Sequence, residues 1–212
     1  MDARAFEVAG LTAGWVLYCF VHSLLIHPPI SARIRGWLGR RAGAYRFLYN
    51  LFSLVALAPL VVAHVRLRGP WLIEWEGVWL AVPVLMNAGA LALFILGATA
   101  YGTSDFLGLE SLRASLGGAK VTGDDPFSTQ GVLRWVRHPW YTGTFLLLWG
   151  HDLDAAGLVA SLVLTAYLFV GTWLEERKLV AQFGDAYRTY QRKVPMFVPR
   201  KPGKGGSEEV RK

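Results

Sequence analysis

Apolar residues fall into five stretches, with the polar residues collected between them. The stretches cover about residues 8–26, 47–63, 78–96, 139–150 and 155–174. A bilayer core of ~30 Å takes ~20 helical residues to cross. The first, second, third and fifth stretches are near that length. The fourth is short, since residues 139–153 would rise only ~22 Å at 1.5 Å per residue. Such a helix starts inside the membrane boundary, packed against protein, because lipid cannot satisfy loose backbone groups. The pattern predicts an all-α fold, a polytopic membrane helical bundle of five transmembrane helices with a short fourth helix. The first stretch reads as a retained span. Glu7 stands near its start, and HPPI follows it in place of a small-residue cleavage site.

Charge placement sets the orientation. Arg33, Arg35, Arg40, Arg41 and Arg46 follow the first stretch, and Arg113, Lys120, Arg134 and Arg137 precede the fourth. With the Lys and Arg after the fifth stretch, 19 of the 22 basic residues lie on one side. Only Arg4, Arg66 and Arg68 lie on the other, and the turn HDLD (151–154) has none. Basic residues stay cytoplasmic, so the N-terminus is expected outside and the C-terminus inside. The setting implied is a bacterial inner membrane with the chemistry facing the cytoplasm.

Composition agrees. Hydrophobic residues make up 53% and charged residues 17%, against about 25% charged in soluble chains. The net charge of +7 is a property of membrane-flanking loops and gives no reason to expect a nucleic-acid partner. The single cysteine, Cys19, excludes a disulfide framework and a cysteine-ligated zinc site, and no metal is expected. Walker, GxGxxG, HExxH and GxSxG motifs are absent. Residues 27–44, with Pro28 and Pro29, read as a basic amphipathic stretch lying on the membrane surface. Residues 97–136 read as a long Gly- and Ser-rich loop with four acids, a length usually reserved for function or disorder. The expected organisation is one domain over 1–200, with its site in about 131–199. A disordered basic tail over 201–212 follows it.

Three segments carry chemistry. In RHPWYTG (137–143), Pro139 suits the first turn of a helix, which puts Arg137 and His138 at its mouth. Gly143 permits close approach of a ligand or a neighbouring helix. An arginine beside a helix N-terminus is a site for an anionic group such as a carboxylate. In EERKL (175–179), two adjacent helical carboxylates point ~100° apart. One can therefore face a pocket while the other pairs with Arg177 or Lys178. In FGDAYRTYQRKVPMFVP (183–199), Phe183, Tyr187 and Tyr190 recur at helical spacing, opposite Arg188, Arg192 and Lys193. Taken singly, each segment also has a plain structural reading, as a positive anchor, a solvated helix end and an interfacial helix.

Together and in this order, RHPWYTG, EER and FGDAYRTYQRKVPMFVP resemble the integral-membrane methyltransferases. That group includes isoprenylcysteine carboxyl, phospholipid and methanethiol S-methyltransferases. The resemblance covers roughly residues 131–199. HSLLIHPPI (22–30), YRFLYNLFS (45–53) and SDFLGLESLR (104–113) look like the methanethiol and nitric-oxide-respiration accessory branches. The resemblance implies S-adenosyl-L-methionine as cofactor, bound from the cytoplasmic side. It also implies an acceptor arriving from the membrane lipid, either a small thiol such as methanethiol or a lipophilic methyl acceptor. Within it, Arg137 would take the cofactor carboxylate. Glu175 or Glu176 would sit near its ammonium or sulfonium, and His138 would contact it or hold the loop. Pro139, Tyr141 and Gly143 would line its pocket, and Tyr187 and Tyr190 would cover it. His138, Glu175 and Glu176 would be the residues at the reaction.

A thiol acceptor must lose its proton before it attacks. His22, His27 and His138 are candidate bases, and Asp105 is a candidate acid on the substrate side. Cys19 reads as packing and Asn87 as helix–helix glue. Two rivals remain. One is an NADPH-dependent membrane reductase, whose related pattern has Asp where Thr144 follows Gly143 here. The other is a non-enzymatic membrane accessory protein.

Overall fold

A computed structural model describes residues 3–101, 108–117 and 128–200. Asp105 and the 201–212 tail lie outside the described residues. The helices are α1 (Ala3–Ile26), α2 (Pro28–Leu38), α3 (Tyr45–Arg66), α4 (Ala81–Tyr101), α5 (Leu109–Leu116), α6 (Pro139–Trp149) and α7 (Ala155–Lys193). Two short strands, β1 (Trp71–Ile73) and β2 (Leu153–Asp154), pair in a two-stranded sheet. The chain is an integral-membrane, mostly helical protein. Four segments are long and apolar enough to cross a membrane: Ala3–Ile26, Pro28–Arg66, Gly77–Ala100 and Ala155–Lys193. The fourth apolar stretch of the sequence forms α6, with 11 residues.

The chain divides into two compact units. The first comprises Met1–Leu72, Gly102–Asp125 and Asp154–Leu164. Here α1 packs on α3, and Leu11, Trp15, Ala156 and Ala160 form a buried cluster lined by Leu57 and Leu60. The opposite sides of these helices carry Leu17, Phe20, Leu54 and Val55 outward. Apolar side chains turned outward at this density are what a helix in lipid requires. Cys19 is buried, as packing demands. Residues 27–44 hold more structure than a surface loop. Pro28 fills the first helical position of α2, where its missing N–H costs nothing, and a 3₁₀ helix follows over Gly39–Ala44.

HDLD is also more than a turn. Asp154 caps α7, with Oδ1 accepting the Gly157 N–H at 2.8 Å and Oδ2 the Gly69 N–H at 2.7 Å. One carboxylate thus satisfies an orphan donor of the helix start and a loop amide. Burial would raise the Asp154 pKa, but the N–H groups of Gly157 and Gly69 outweigh it and hold it below the ordinary value.

The second unit comprises Ile73–Tyr101, Pro126–Leu153 and Thr165–Lys212. Its frame is the pairing of α4 with α6, and small residues set how closely they meet. Gly97 lies under the Trp140 indole, and a Cβ there would stand 2.3 Å from Nε1. That Nε1 donates to the Phe94 carbonyl at 3.2 Å. Asn87 joins the same pair, its amide donating to the carbonyls of Pro83 and Gly150 at 2.7 and 2.5 Å. The described residues of the region read as one long loop include helical structure. Helix α4 runs on to Tyr101, α5 follows, and a 3₁₀ turn spans Gly131–Arg134. The fifth apolar stretch and the aromatic segment after it join in α7, which turns at Gly184 with φ 57°. A left-handed conformation there suits a residue without a Cβ.

Candidate functional site

In the second unit the three chemistry-bearing segments meet on one carboxylate. Glu176, 5% exposed, accepts hydrogen bonds from four side chains. Arg137 donates Nε–H to Oε1 at 2.9 Å and Nη2–H to Oε2 at 3.1 Å, a bidentate fork. His138 Nε2 lies 2.7 Å from Oε1 and the Tyr187 hydroxyl 2.8 Å from it. The Gln191 amide donates to Oε2. A carboxylate offers about four lone-pair sites, so Glu176 is saturated by five donors. Because the carboxylate can only accept, His138 carries its proton on Nε2.

Each donor is placed by local structure. Arg137 and His138 precede Pro139 at the mouth of α6, and the strand-like segment after α7 holds them there. The Arg137 and His138 amides donate to the carbonyls of Pro195 and Met196 at 3.0 and 3.2 Å. The Arg200 amide closes the other edge on the Trp135 carbonyl at 3.0 Å, and Thr142 Oγ1 reaches the Phe197 carbonyl at 2.9 Å. Arg137 Nη1 is spent on the carbonyls of Gln191 and Val194 at 2.9 and 2.5 Å. The guanidinium, 8% exposed, is thus an internal strut. Tyr187 and Gln191 are four residues apart on α7 and arrive on the same face. Tyr190 packs against Tyr187 with ring centroids 5.7 Å apart, and its hydroxyl donates to the Leu133 carbonyl at 2.6 Å. The expected aromatic face of 183–190 is therefore a buried cluster with Val194.

Glu175 has a different environment. Its side chain is 41% exposed, and Oε2 stands 3.8 Å from His138 Nδ1. That oxygen is buried and has no hydrogen bond among the described residues. Tyr141 stacks on His138 at 5.4 Å. Pro139 is buried at the helix start, and a Cβ added at Gly143 would meet the Ala90 carbonyl and the Phe94 ring at 3.3 Å. Of the two neighbours allowed for Gly143, the structure thus supplies the helix. His22 and His27 belong to the first unit. His22 bonds the Ser53 hydroxyl at 3.1 Å through Nδ1 and the Tyr49 hydroxyl at 2.6 Å through Nε2, and His27 is exposed ahead of α2.

Beside Glu176 opens a cleft of about 640 Å³ lined by Arg137, Trp173, Glu176, Arg177, Val180, Ala181, Arg188, Gln191 and Met196. Arg177 lies over the Trp173 ring, 4.8 Å from its centroid. Trp173, Arg177, Arg188 and Gln191 were not among the residues singled out in the sequence for a site role. Their signal was present as i, i+4 spacing: Trp173 to Arg177 and Tyr187 to Gln191. S-Adenosylmethionine carries an ammonium, a sulfonium and a carboxylate. Of that set, the cleft offers two arginines for the carboxylate and apolar walls, and Glu175 stands one residue from Glu176 in its lining.

The family model described as NnrU protein matches residues 10–198. Methanethiol S-methyltransferase 2 of Bradyrhizobium diazoefficiens is 32% identical over 142 residues, covering 61% of this chain and 54% of that protein. Methanethiol S-methyltransferase of Mycobacterium tuberculosis is 33% identical over 144 residues, covering 60% and 58%. Protein-S-isoprenylcysteine O-methyltransferase of Schizosaccharomyces pombe is 35% identical over 85 residues, covering 38% and 36%. The chain spans a little over half the length of the first two of these relatives. No solved structure matches. The resemblance to integral-membrane methyltransferases, on the methanethiol side, therefore holds along more of the chain than the segments that first carried it.

Proposed function

The chain belongs to the NnrU protein family, and on that footing we propose that it transfers a methyl group from S-adenosylmethionine to a small thiol such as methanethiol. The observation that carries the reading is the division of labour between two adjacent carboxylates. Glu176 is saturated from within, while Glu175 Oε2 has no hydrogen bond among the described residues. When bound, the cofactor supplies an electrophilic methyl group for an in-line displacement. The protein's share is then alignment and charge placement.

Arg137, Glu176 and Tyr187 form a rigid frame that holds His138 in one ring orientation. Glu175 presents a carboxylate to the cofactor ammonium. Arg177 and Arg188 take its carboxylate, a role the sequence alone assigned to Arg137, whose guanidinium is committed to Glu176. Trp173, Val180 and Met196 exclude water from one side of the cleft. Tyr141, stacked on His138, keeps that ring from swinging toward the membrane. In the same reading α6 completes a fifth crossing, with the N-terminus outside and the site facing the cytoplasm. The asymmetry of 19 in 22 basic residues supports that orientation.

The test uses detergent-purified full chain with labelled S-adenosylmethionine and, in parallel, methanethiol, a farnesylcysteine analogue and phosphatidylethanolamine. A volatile labelled sulfide is expected. Label in the farnesyl or lipid fraction alone would reassign the acceptor. Tight NADPH binding without S-adenosylhomocysteine binding would replace the methyltransferase by a reductase. A reporter fused at Lys212 should be active only in the cytoplasm.

A further inference from the structure

The first unit carries a charged surface that the proposed chemistry does not use. From residue 8 to residue 73 the chain has no Asp or Glu, and up to residue 119 every basic residue is Arg, with no Lys. Five of these arginines fall between the end of α1 and the first turn of α3: Arg33, Arg35, Arg40, Arg41 and Arg46. Connectivity fixes their depth. Helix α1 has 24 residues and α3 has 22, each enough to cross a bilayer core, so α2 and the turn that join their ends lie at its surface.

The local fold turns these charges outward. Ser31 is buried and Ile34 and Leu38 are half-buried, so one face of α2 packs inward. Arg33 and Trp37 are one helical turn apart on another face, and both are exposed, Trp37 at 80%. Arg40 and Arg41 follow in the 3₁₀ turn, also exposed. Helix α5 packs against this turn, where the Ser115 hydroxyl donates to the Arg40 carbonyl at 3.3 Å. It adds the exposed Arg113 and Leu116, the latter 74% exposed. Among the described residues, no carboxylate pairs with Arg33, Arg40, Arg41 or Arg113. Arg35 instead lies over the Tyr45 ring, 6.0 Å from its centroid.

We propose that α2, the following 3₁₀ turn and α5 form a binding platform for anionic phospholipid headgroups. Arg33, Arg40 and Arg41 would grip phosphate, and Trp37 would sit in the headgroup layer. Two features favour a phosphodiester over a diffuse attraction. A guanidinium holds phosphate oxygens through two parallel N–H bonds, which an ammonium cannot do. Tryptophan is also the side chain that settles at the membrane–water interface. Within residues 8–73, which hold α2 and the 3₁₀ turn, the chain supplies no carboxylate of its own to these arginines.

The experiment is native mass spectrometry of the delipidated full chain titrated with phosphatidylglycerol, with phosphatidylcholine, and with inorganic phosphate. Phosphatidylglycerol should be retained in preference to phosphatidylcholine, and phosphate should not compete at equal concentration, since it lacks the acyl chains that hold a lipid at this depth. Each interfacial arginine contributes about fivefold, so the triple variant R33Q/R40Q/R41Q should lose roughly a hundredfold in affinity. The charge-matched control R192Q/R200Q/K201Q should lose little. The triple R33K/R40K/R41K keeps the charge and so protects the fold, and it should still lose severalfold. Equal retention of the two lipids, equal loss in the control, or full affinity in the lysine triple would each overturn the platform.

Discussion

Replacing Glu176 by Gln should damage the fold of the second unit more than any neighbouring polar substitution. The carboxylate accepts two bonds from Arg137 and one each from His138, Tyr187 and Gln191. A glutamine keeps one oxygen and turns the other position into a donor. That donor would face the Arg137 Nη2–H or the Gln191 amide, which are donors themselves. A bidentate charge-assisted fork is lost, and a guanidinium 8% exposed is left without its counter-charge. Breaking a buried pair from one side costs about 3–5 kcal/mol. Two contacts of Arg137 Nη1 to backbone carbonyls survive, which places the cost near the lower end, about 3 kcal/mol. For a chain of this size that is roughly 6–12 °C in the unfolding midpoint. The assay is intrinsic tryptophan fluorescence of the detergent-purified protein on heating. The double variant R137M/E176M removes both charges and should recover much of the loss, since apolar replacement of a buried pair is often near neutral. An unchanged midpoint for Glu176→Gln, or a double variant worse than both single variants combined, would refute the strut.

Three further outcomes follow from the geometry. Arg177→Ala with Arg188→Ala should weaken S-adenosylhomocysteine binding about tenfold or more in isothermal titration with the midpoint unchanged, because loss of a charged hydrogen bond costs about 1.5–3 kcal/mol; Arg137→Ala should instead lower the midpoint. Gly97→Leu should force α4 from α6 and lower the midpoint, read by the same melting assay, because even a Cβ would meet the Trp140 ring at 2.3 Å. Asp154→Ala removes a helix cap worth about 0.5–2 kcal/mol and should lower the midpoint at neutral pH. The Asp154 pKa lies below its ordinary value, so its stabilisation is full above the unfolded pKa of about 3.9 and is lost as pH falls through the folded value. The gap between wild type and Asp154→Ala should therefore close below about pH 4 in melts run as a pH series.

The residues that meet at the site were readable because their types are costly where they stand. An Arg-His pair before a proline and a Glu pair ending an apolar helix each cost free energy in a membrane unless they find partners. Their places at a helix mouth, at the end of an apolar helix and at helical spacing brought Arg137, His138, Glu175, Glu176, Tyr187 and Tyr190 forward, and the structure gathers them in one unit. What the sequence could not assign was which partner each would take. Arg137 had an anion to find, and spacing alone could not tell an internal carboxylate 39 residues away from a ligand. Glu175 and Glu176 are chemically identical, and only the register of α7 against the mouth of α6 turns one inward. Gln191, Arg177 and Trp173 were missed for the opposite reason. Each is unremarkable in composition and gains meaning from a contact, Arg177 with Trp173 one helical turn away and Gln191 with Glu176 15 residues away. The same holds for HDLD, where the lack of basic residues drew attention to topology while Asp154 was capping a helix. Since the five-donor arrangement leaves Glu176 no free acceptor, the proposed reading assigns the cofactor ammonium to its neighbour Glu175, whose Oε2 has no hydrogen bond among the described residues.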